Sequence, residues 1–271
     1  MRARRMKERK WICICRGRLQ SSLGPARGIG FAVTKALVDA GAHVVAGSRT
    51  PGKQLPLLEE SGQVSFVSVD LTQPGAAEEL IRAATYRGGI DVLINNVGGA
   101  TVRPSGLASI SDDEWRASWD LNVMGVVRPT RAALPEIERR GGGSIVIVSS
   151  INAYFPGPNA LDYCAAKAAV ANFAKTLSKD LAPKNIRVNS VSPGPVSTER
   201  WMEQGGLADR FAAVRGQTAD EVRAELASSI PTGRFTTPEE VADLVVFLAS
   251  DRAGNITGSD YRIDGGFVTT V

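Results

Sequence analysis

Short runs rich in Val and Ile alternate along this chain with helix-length segments, and each run stops at a polar or glycine-rich corner. Ala42 to Ser48 ends near Arg49, Val64 to Val69 at Asp70, Ile90 to Ile94 at Asn95-Asn96, Ser144 to Val148 at Ser149-Ser150, and Ile186 to Val191 at Pro193-Gly194. Runs that are mostly apolar suit strands buried on both faces of a parallel sheet. Gly28 to Ala40 instead carries apolar residues at helical spacing (Ile29, Ala32, Val33, Ala36, Leu37) and stops at Gly41. Further helix starts are legible at Ser111-x-x-Glu114, Thr218-x-x-Glu221 and Thr237-Pro238-x-Glu240, each a capping box. Strands alternating with helices predict an α/β fold of the doubly wound kind, a parallel sheet flanked by helices on both faces. Ligands of such sheets sit beyond the carboxyl ends of the strands, so the corners should converge on one cleft.

Composition removes most competing classes. With 43% hydrophobic residues among 271, the chain is too apolar for disorder, and no run approaches the roughly 20 residues of a membrane-spanning helix. The net charge of +4 is local: residues 1–18 hold eight bases against Glu8, or +7, which leaves −3 for the other 253. A basic tail of this kind is weak ground for a nucleic-acid partner. Cys13, Cys15 and Cys164 lack metal-ligand spacing and there is one histidine, so no metal is expected. A reducing, cytoplasmic setting is the simple expectation.

Two constellations carry chemistry. Gly24-Pro25-Ala26-Arg27-Gly28-Ile29-Gly30 opens a helix, where glycines admit a pyrophosphate and the helix N-terminus supplies N–H donors. The next strand ends 19 residues after Gly30 at Arg49, where an NAD-binding fold would place an acid. Arg27 and Arg49 can clamp a 2′-phosphate, which favours NADP over NAD; the alternative is a pair of solvated surface arginines. Tyr163 and Lys167 stand four apart on one helix face. An ammonium near a phenol lowers its pKa and makes it a proton donor and acceptor, and Ser150 is placed to bind the same substrate oxygen.

In these residues the chain resembles the short-chain dehydrogenase/reductase family. The likeness runs from residue 24 to 266: Gly24-x-x-x-Gly28-Ile29-Gly30, Asp70-Leu71, Asn95-Asn96-Val97-Gly98, Leu121-Asn122-Val123, Ser150, Tyr163-Cys164-Ala165-Ala166-Lys167, Pro193-Gly194-Pro195-Val196-Ser197-Thr198, and Gly258 with Asp264-Gly265-Gly266. The resemblance implies one Rossmann-type domain over residues 19–271. It implies Tyr163 as acid/base and Lys167 on the nicotinamide ribose, with Ser150 holding the substrate oxygen and Asn122 positioning a water. It further implies Asp70 at the adenine end, Asn96 and Gly98 along the cofactor, Val196 and Thr198 at the carboxamide, and Leu71, Pro193 and Gly194 among the other cofactor contacts. The expected substrate is a small carbonyl or alcohol, under a lid at about 199–230 that includes Trp201, Met202 and Phe211, in a homotetramer.

The start of the chain departs from that pattern. Leu19-Gln20-Ser21-Ser22-Leu23 stands where an apolar strand should run into Thr-Gly, and Pro25 removes an N–H from the phosphate turn. Trp11 to Cys15 is strand-like, but lies some eight residues too far from Gly24. A catalytically impaired or silent nucleotide-binding protein is therefore the alternative reading, with residues 1–18 as a disordered tail. A reading-frame artefact over residues 1 to about 25 would also explain it. Permissible codons for Lys10 to Pro25, begun at the last base of Lys10, can spell Met-Asp-Leu-His-Leu-Pro-Gly-Lys-Val-Ala-Val-Val-Thr-Gly-Ala.

Overall fold

Seven parallel strands form one sheet in the order β3-β2-β1-β4-β5-β6-β7 in the computed structural model, which describes residues 10–15, 28–52 and 54–270. They are β1 (Lys10–Cys15), β2 (His43–Ser48), β3 (Val64–Ser68), β4 (Val92–Asn96), β5 (Gly143–Val148), β6 (Ile186–Pro193) and β7 (Asp260–Ile263). The α-helices among the described residues are α1 (Gly28–Asp39), α2 (Leu55–Glu59), α3 (Ala76–Tyr86), α4 (Asp112–Trp119) and α5 (Gly125–Arg139). They continue with α6 (Leu161–Leu181), α7 (Glu199–Met202), α8 (Leu207–Arg215), α9 (Ala219–Ser229) and α10 (Pro238–Ala249). The doubly wound α/β expectation therefore holds.

Side-chain alternation along each strand distributes the apolar runs between two cores. Val45, Leu93, Ile145, Ile147 and Val188 face the layer of α3, α5 and α6. Their chain neighbours Val44, Val92, Ile94, Val146 and Val148 face α1 and α10. Because successive Cβ atoms point to opposite faces, a strand packed on both sides has no room for a polar-out position, which is why these runs read as mostly apolar. Val33 and Leu37 of α1, and Val241, Val245 and Leu248 of α10, are fully buried. Each such burial contributes roughly 1.5–3 kcal/mol. All three capping boxes form, at Ser111/Glu114, Thr218/Glu221 and Thr237/Glu240.

The central strand is where expectation and structure part. Lys10–Cys15 lies between β2 and β4, with Trp11 opposite Val44 on one side and Val92 on the other. The segment 1–18 is thus not all tail. A position covered on both faces needs a β-rich uncharged run; Trp-Ile-Cys-Ile-Cys supplies one and Leu-Gln-Ser-Ser does not. The expected but flawed strand at Leu19 to Pro25 lies outside the described residues. β7, by contrast, is the sequence Asp-Tyr-Arg-Ile at the sheet edge and carries no apolar run that would announce it.

Strand order reverses direction between β1 and β4, and the carboxyl ends of β4, β5 and β6 (Asn96, Val148, Pro193) fall on the same rim. A parallel sheet places its ligand crevice there.

Candidate active site

Tyr163 and Lys167 sit in the first two turns of α6, and Lys167 Nζ lies 5.7 Å from the Tyr163 ring centroid. They share a face, as their spacing predicts. Lys167 is 2% exposed, and its ammonium donates to Val148 O at the end of β5 (3.2 Å). Ser150, two residues past β5, has an extended backbone; its Oγ accepts from Asn152 N (3.2 Å), and its hydroxyl is hydrogen-bonded to Tyr163.

Asn122 is fully buried in a π-helical turn, Asp120–Met124, between α4 and α5. Such insertions are frequent at functional sites because they disturb the regular carbonyl ladder. The amide side chain is heavily engaged: Oδ1 accepts from Gly99 N (2.9 Å), while Nδ2 donates to Gly99 O (3.1 Å) and Ser118 O (3.0 Å). It clamps the loop after β4. A water held at this residue must use the second lone pair of Oδ1 or the main-chain carbonyl.

The electrostatics differ from the sequence expectation. Burial pushes the Tyr163 phenol up from 10; the Ser150 hydrogen bond and the positive charge of Arg200 oppose that rise, and Lys167 is not among the contributors. Lys167 is itself pulled down from 10.5 to about 8 by burial. Its ammonium faces the Val148 carbonyl, so desolvation governs its own ionisation. The lowered phenol expected from a neighbouring ammonium is therefore corrected to a phenol held protonated.

Around this core lies a cleft of about 330 Å³ whose lining joins Ser150 and Tyr163 to Ile29, Pro193, Gly194, Val196 and Thr198. Two glycines leave bare backbone at its rim. A Cβ on Gly28 (φ +67°) would come within 3.1 Å of Thr198 Cγ2, and one on Gly98 (φ +149°) within 2.7 Å of Asn122 Oδ1 and 3.0 Å of Lys167 Nζ. Together with the N–H groups of the first turn of α1, that is the clearance and donor set a dinucleotide requires. Gly30 is buried in α1, and Asn96 ends β4 half-buried. Arg49 follows β2 half-buried, its carbonyl accepting from Ser68 Oγ (3.1 Å). Asp70, beyond β3, closes a turn by accepting from Thr72 N (3.1 Å) and Thr72 Oγ1 (2.7 Å). The Leu71 side chain is core, 1% exposed, so only its main chain can serve a ligand. Gly24 and Arg27 lie outside the described residues. His43 opens β2 in an exposed position at the opposite end of the strand from the cleft.

The sequence model of the family described as enoyl-(acyl carrier protein) reductase matches residues 24–268. A human relative, dehydrogenase/reductase SDR family member 4, is 34% identical over 250 residues, spanning 88% of this chain and 83% of the relative. The chain belongs to the short-chain dehydrogenase/reductase family. It is an oxidoreductase. The 3-oxoacyl-(acyl-carrier-protein) reductase FabG of Thermotoga maritima is 35% identical over 250 residues, 90% of this chain and 95% of that one. The L-sorbose reductase of Gluconobacter frateurii, solved with NADPH and L-sorbose, superposes with a TM-score of 0.84 at 30% identity, covering 98% of this chain and 99% of the other. One similar protein is named for an acyl-carrier-protein substrate and another for a sugar. Membership of the short-chain family therefore does not choose the substrate.

The cleft wall contains two of the aromatic residues expected in the lid, together with groups that sequence reasoning missed. Trp201 stacks on Phe211 (centroids 5.9 Å, 13°), and both line the cleft with Leu207, Leu226 and Phe267; Met202 is 38% exposed and outside that lining. Arg200 and Asn152 also line it, and nothing in their spacing marked them out. A further missed feature is Arg103, which donates to Glu114 and to Asp162 Oδ2 (3.0 Å) while its N–H bonds Asn159 O (2.8 Å). Burial works against the Arg103 charge, but the bonds to Asp162 and Glu114 outweigh it and raise the pKa. Asp162 is 2% exposed and adjoins Tyr163, so this buried pair ties the loop after β4 to the start of α6. Arg103→Met strands the Asp162 carboxylate, and we expect a loss of about 3 kcal/mol in stability, read as a lowered urea midpoint. An unchanged midpoint would show that the pair holds nothing together.

Proposed function

We propose that this oxidoreductase interconverts a ketone and a secondary alcohol with NADP(H), using Tyr163 as acid and base. The observation that carries the reading is that Ser150 and Tyr163 line one cleft with Gly194, while Lys167 stands beside Tyr163 and packs with Asn122 against Gly98. When bound, the nicotinamide supplies or accepts the hydride. Ser150 holds the substrate oxygen, and Tyr163 donates the proton to it in reduction or takes it in oxidation. A phenol whose pKa is raised stands ready as the donor. Lys167 holds the nicotinamide ribose, Asn122 positions a water for proton exchange, and Gly28, Ile29, Gly30, Asn96, Pro193, Gly194, Val196 and Thr198 cradle the rest. Helices α7–α9 form the lid that brings Trp201 and Phe211 over the substrate.

The preference for NADP rests on Arg49, with Arg27, at the place where an acid would read the 2′-hydroxyl of NAD. A charge-assisted contact to a phosphate is worth about 1.5–3 kcal/mol, so NADPH should bind at least tenfold tighter than NADH in fluorescence titrations. Arg49→Ala should erase most of that margin. Equal affinities in the unmodified protein would sink the NADP assignment.

The second reading, a silent nucleotide-binding protein, is favoured only by Leu19 to Pro25. A shifted reading frame over residues 1 to about 25 is the competing account of that segment, and it would replace the strand Lys10–Cys15 as well; resequencing the DNA tests it, and it fails if the codons cannot give the alternate peptide.

A further inference from the structure

Arg128 stands in the first turn of α5, and its planar head is shared between two segments of the sheet rim. Nη1 donates to the carbonyls of Leu71 (3.3 Å) and Thr72 (3.1 Å) in the turn after β3. Nη2 donates to Asp120 Oδ1 (2.8 Å), at the start of the π-helical turn that carries Asn122. The first segment is the turn that Asp70 closes, and the second clamps Gly99 through the Asn122 amide. Strands β2 and β1 separate β3 from β4, so the turn after β3 and the loop after β4 leave the sheet roughly 14 Å apart. They are nevertheless tied through one guanidinium. The same segments also share a core, since Leu71, Val97, Val123 and Val126 belong to one buried cluster. A Cβ on Gly125 would stand 2.8 Å from Val97 Cγ1, so the π-helical turn is seated on the loop after β4 without slack. Apolar contacts are non-directional, whereas three hydrogen bonds from one rigid fork fix orientation as well.

We propose that Arg128 is a positioning residue: it locks the Asp70–Thr72 turn to the Asn122 turn and so sets the distance between the adenine end and the nicotinamide end of the cofactor site. The inference rests on the proposed function for the identity of the cofactor and for the part Asn122 plays. A two-ended ligand gains affinity from its second end only when both ends fit at once. A fixed spacing therefore favours the whole nucleotide over its pieces. The Arg128 and Asp120 side chains are 19% and 44% exposed, so their attraction is partly screened and its value lies in geometry more than in stability.

The test titrates the full chain with NADPH, read by fluorescence, and with adenosine 2′,5′-bisphosphate, the adenine end of that cofactor alone, read by calorimetry. Arg128→Gln should bind NADPH at least tenfold more weakly and the bisphosphate less than threefold more weakly. At saturating NADPH its kcat on the best substrate of a carbonyl panel should fall at least tenfold. Arg128→Lys keeps the charge but not the fork, and should recover only part of each loss. Asp120→Ala severs one arm alone and should move NADPH affinity and kcat in the same direction, which keeps the test open if Arg128→Gln does not fold; thermal melts establish which variants fold. A lowered melting temperature with unchanged NADPH affinity is what a purely structural bond gives, and it overturns the proposal. Equal losses for cofactor and fragment, an unchanged kcat beside weakened NADPH, or full recovery by lysine overturns it too. If the native protein binds NADPH but turns over no carbonyl, the ketone reductase reading fails, and the comparison of cofactor with fragment still decides the role of Arg128. A native protein that binds no NADPH overturns both.

Discussion

Tyr163→Phe is expected to lower kcat by about 10²–10⁴, the usual contribution of a positioned proton donor, while NADPH affinity changes less than about twofold. The phenyl ring keeps the packing at the start of α6, so the variant removes one hydroxyl and its bond to Ser150 and little else. Steady-state assays with a carbonyl panel, set beside a fluorescence titration of NADPH, read the two quantities separately. Equal turnover in the variant would refute Tyr163 as the acid/base, whereas no turnover in either protein would favour the silent reading. A parallel fall in cofactor affinity would instead assign the hydroxyl to binding.

Lys167→Met is expected to abolish at least 99% of the activity and yet to leave the fold no less stable. The ammonium is buried, and its pKa falls from 10.5 to about 8. Between those values the unfolded chain binds a proton that the folded chain releases, so stability rises with pH through that window. Below about pH 8 the burial penalty is fully present, about 3 kcal/mol by the size of the displacement. Methionine is of similar length and carries no charge to desolvate. Against this stands the Val148 carbonyl, which loses its bond from Nζ, at about 1–3 kcal/mol. The net at pH 7 is a small gain or no change, and the rise in stability between about pH 8 and 10.5 should flatten in the variant. Urea midpoints across that range measure both. A loss of several kcal/mol at pH 7 would mean that Lys167 is a structural support rather than a cation kept under strain for the chemistry.

That arrangement is common at functional sites, where a locally unfavourable group persists because the surrounding fold holds it. Here the fold acts through Gly98. Its left-handed backbone leaves the space into which Asn122 and Lys167 point, and a side chain at that position would collide with both.

Much of the protein was written in its sequence. Periodicity alone placed β2 to β6 to within a residue or two, because strands packed on two faces read as mostly apolar runs. The three capping boxes formed because their hydrogen bonds close within four residues and need no distant partner. Tyr163 and Lys167 share a face for the same reason, a helix turn being a local object. Other features waited for the tertiary structure. The placement of Lys10–Cys15 in the middle of the sheet depends on a slot between β2 and β4 that strands distant in sequence create. The Arg103–Asp162 pair joins residues 59 apart, and Arg200 meets Ala100 across 100. The ionisation of Tyr163 and Lys167 was decided there too, since a pKa answers to burial, and burial is a property of what the rest of the chain packs around a side chain.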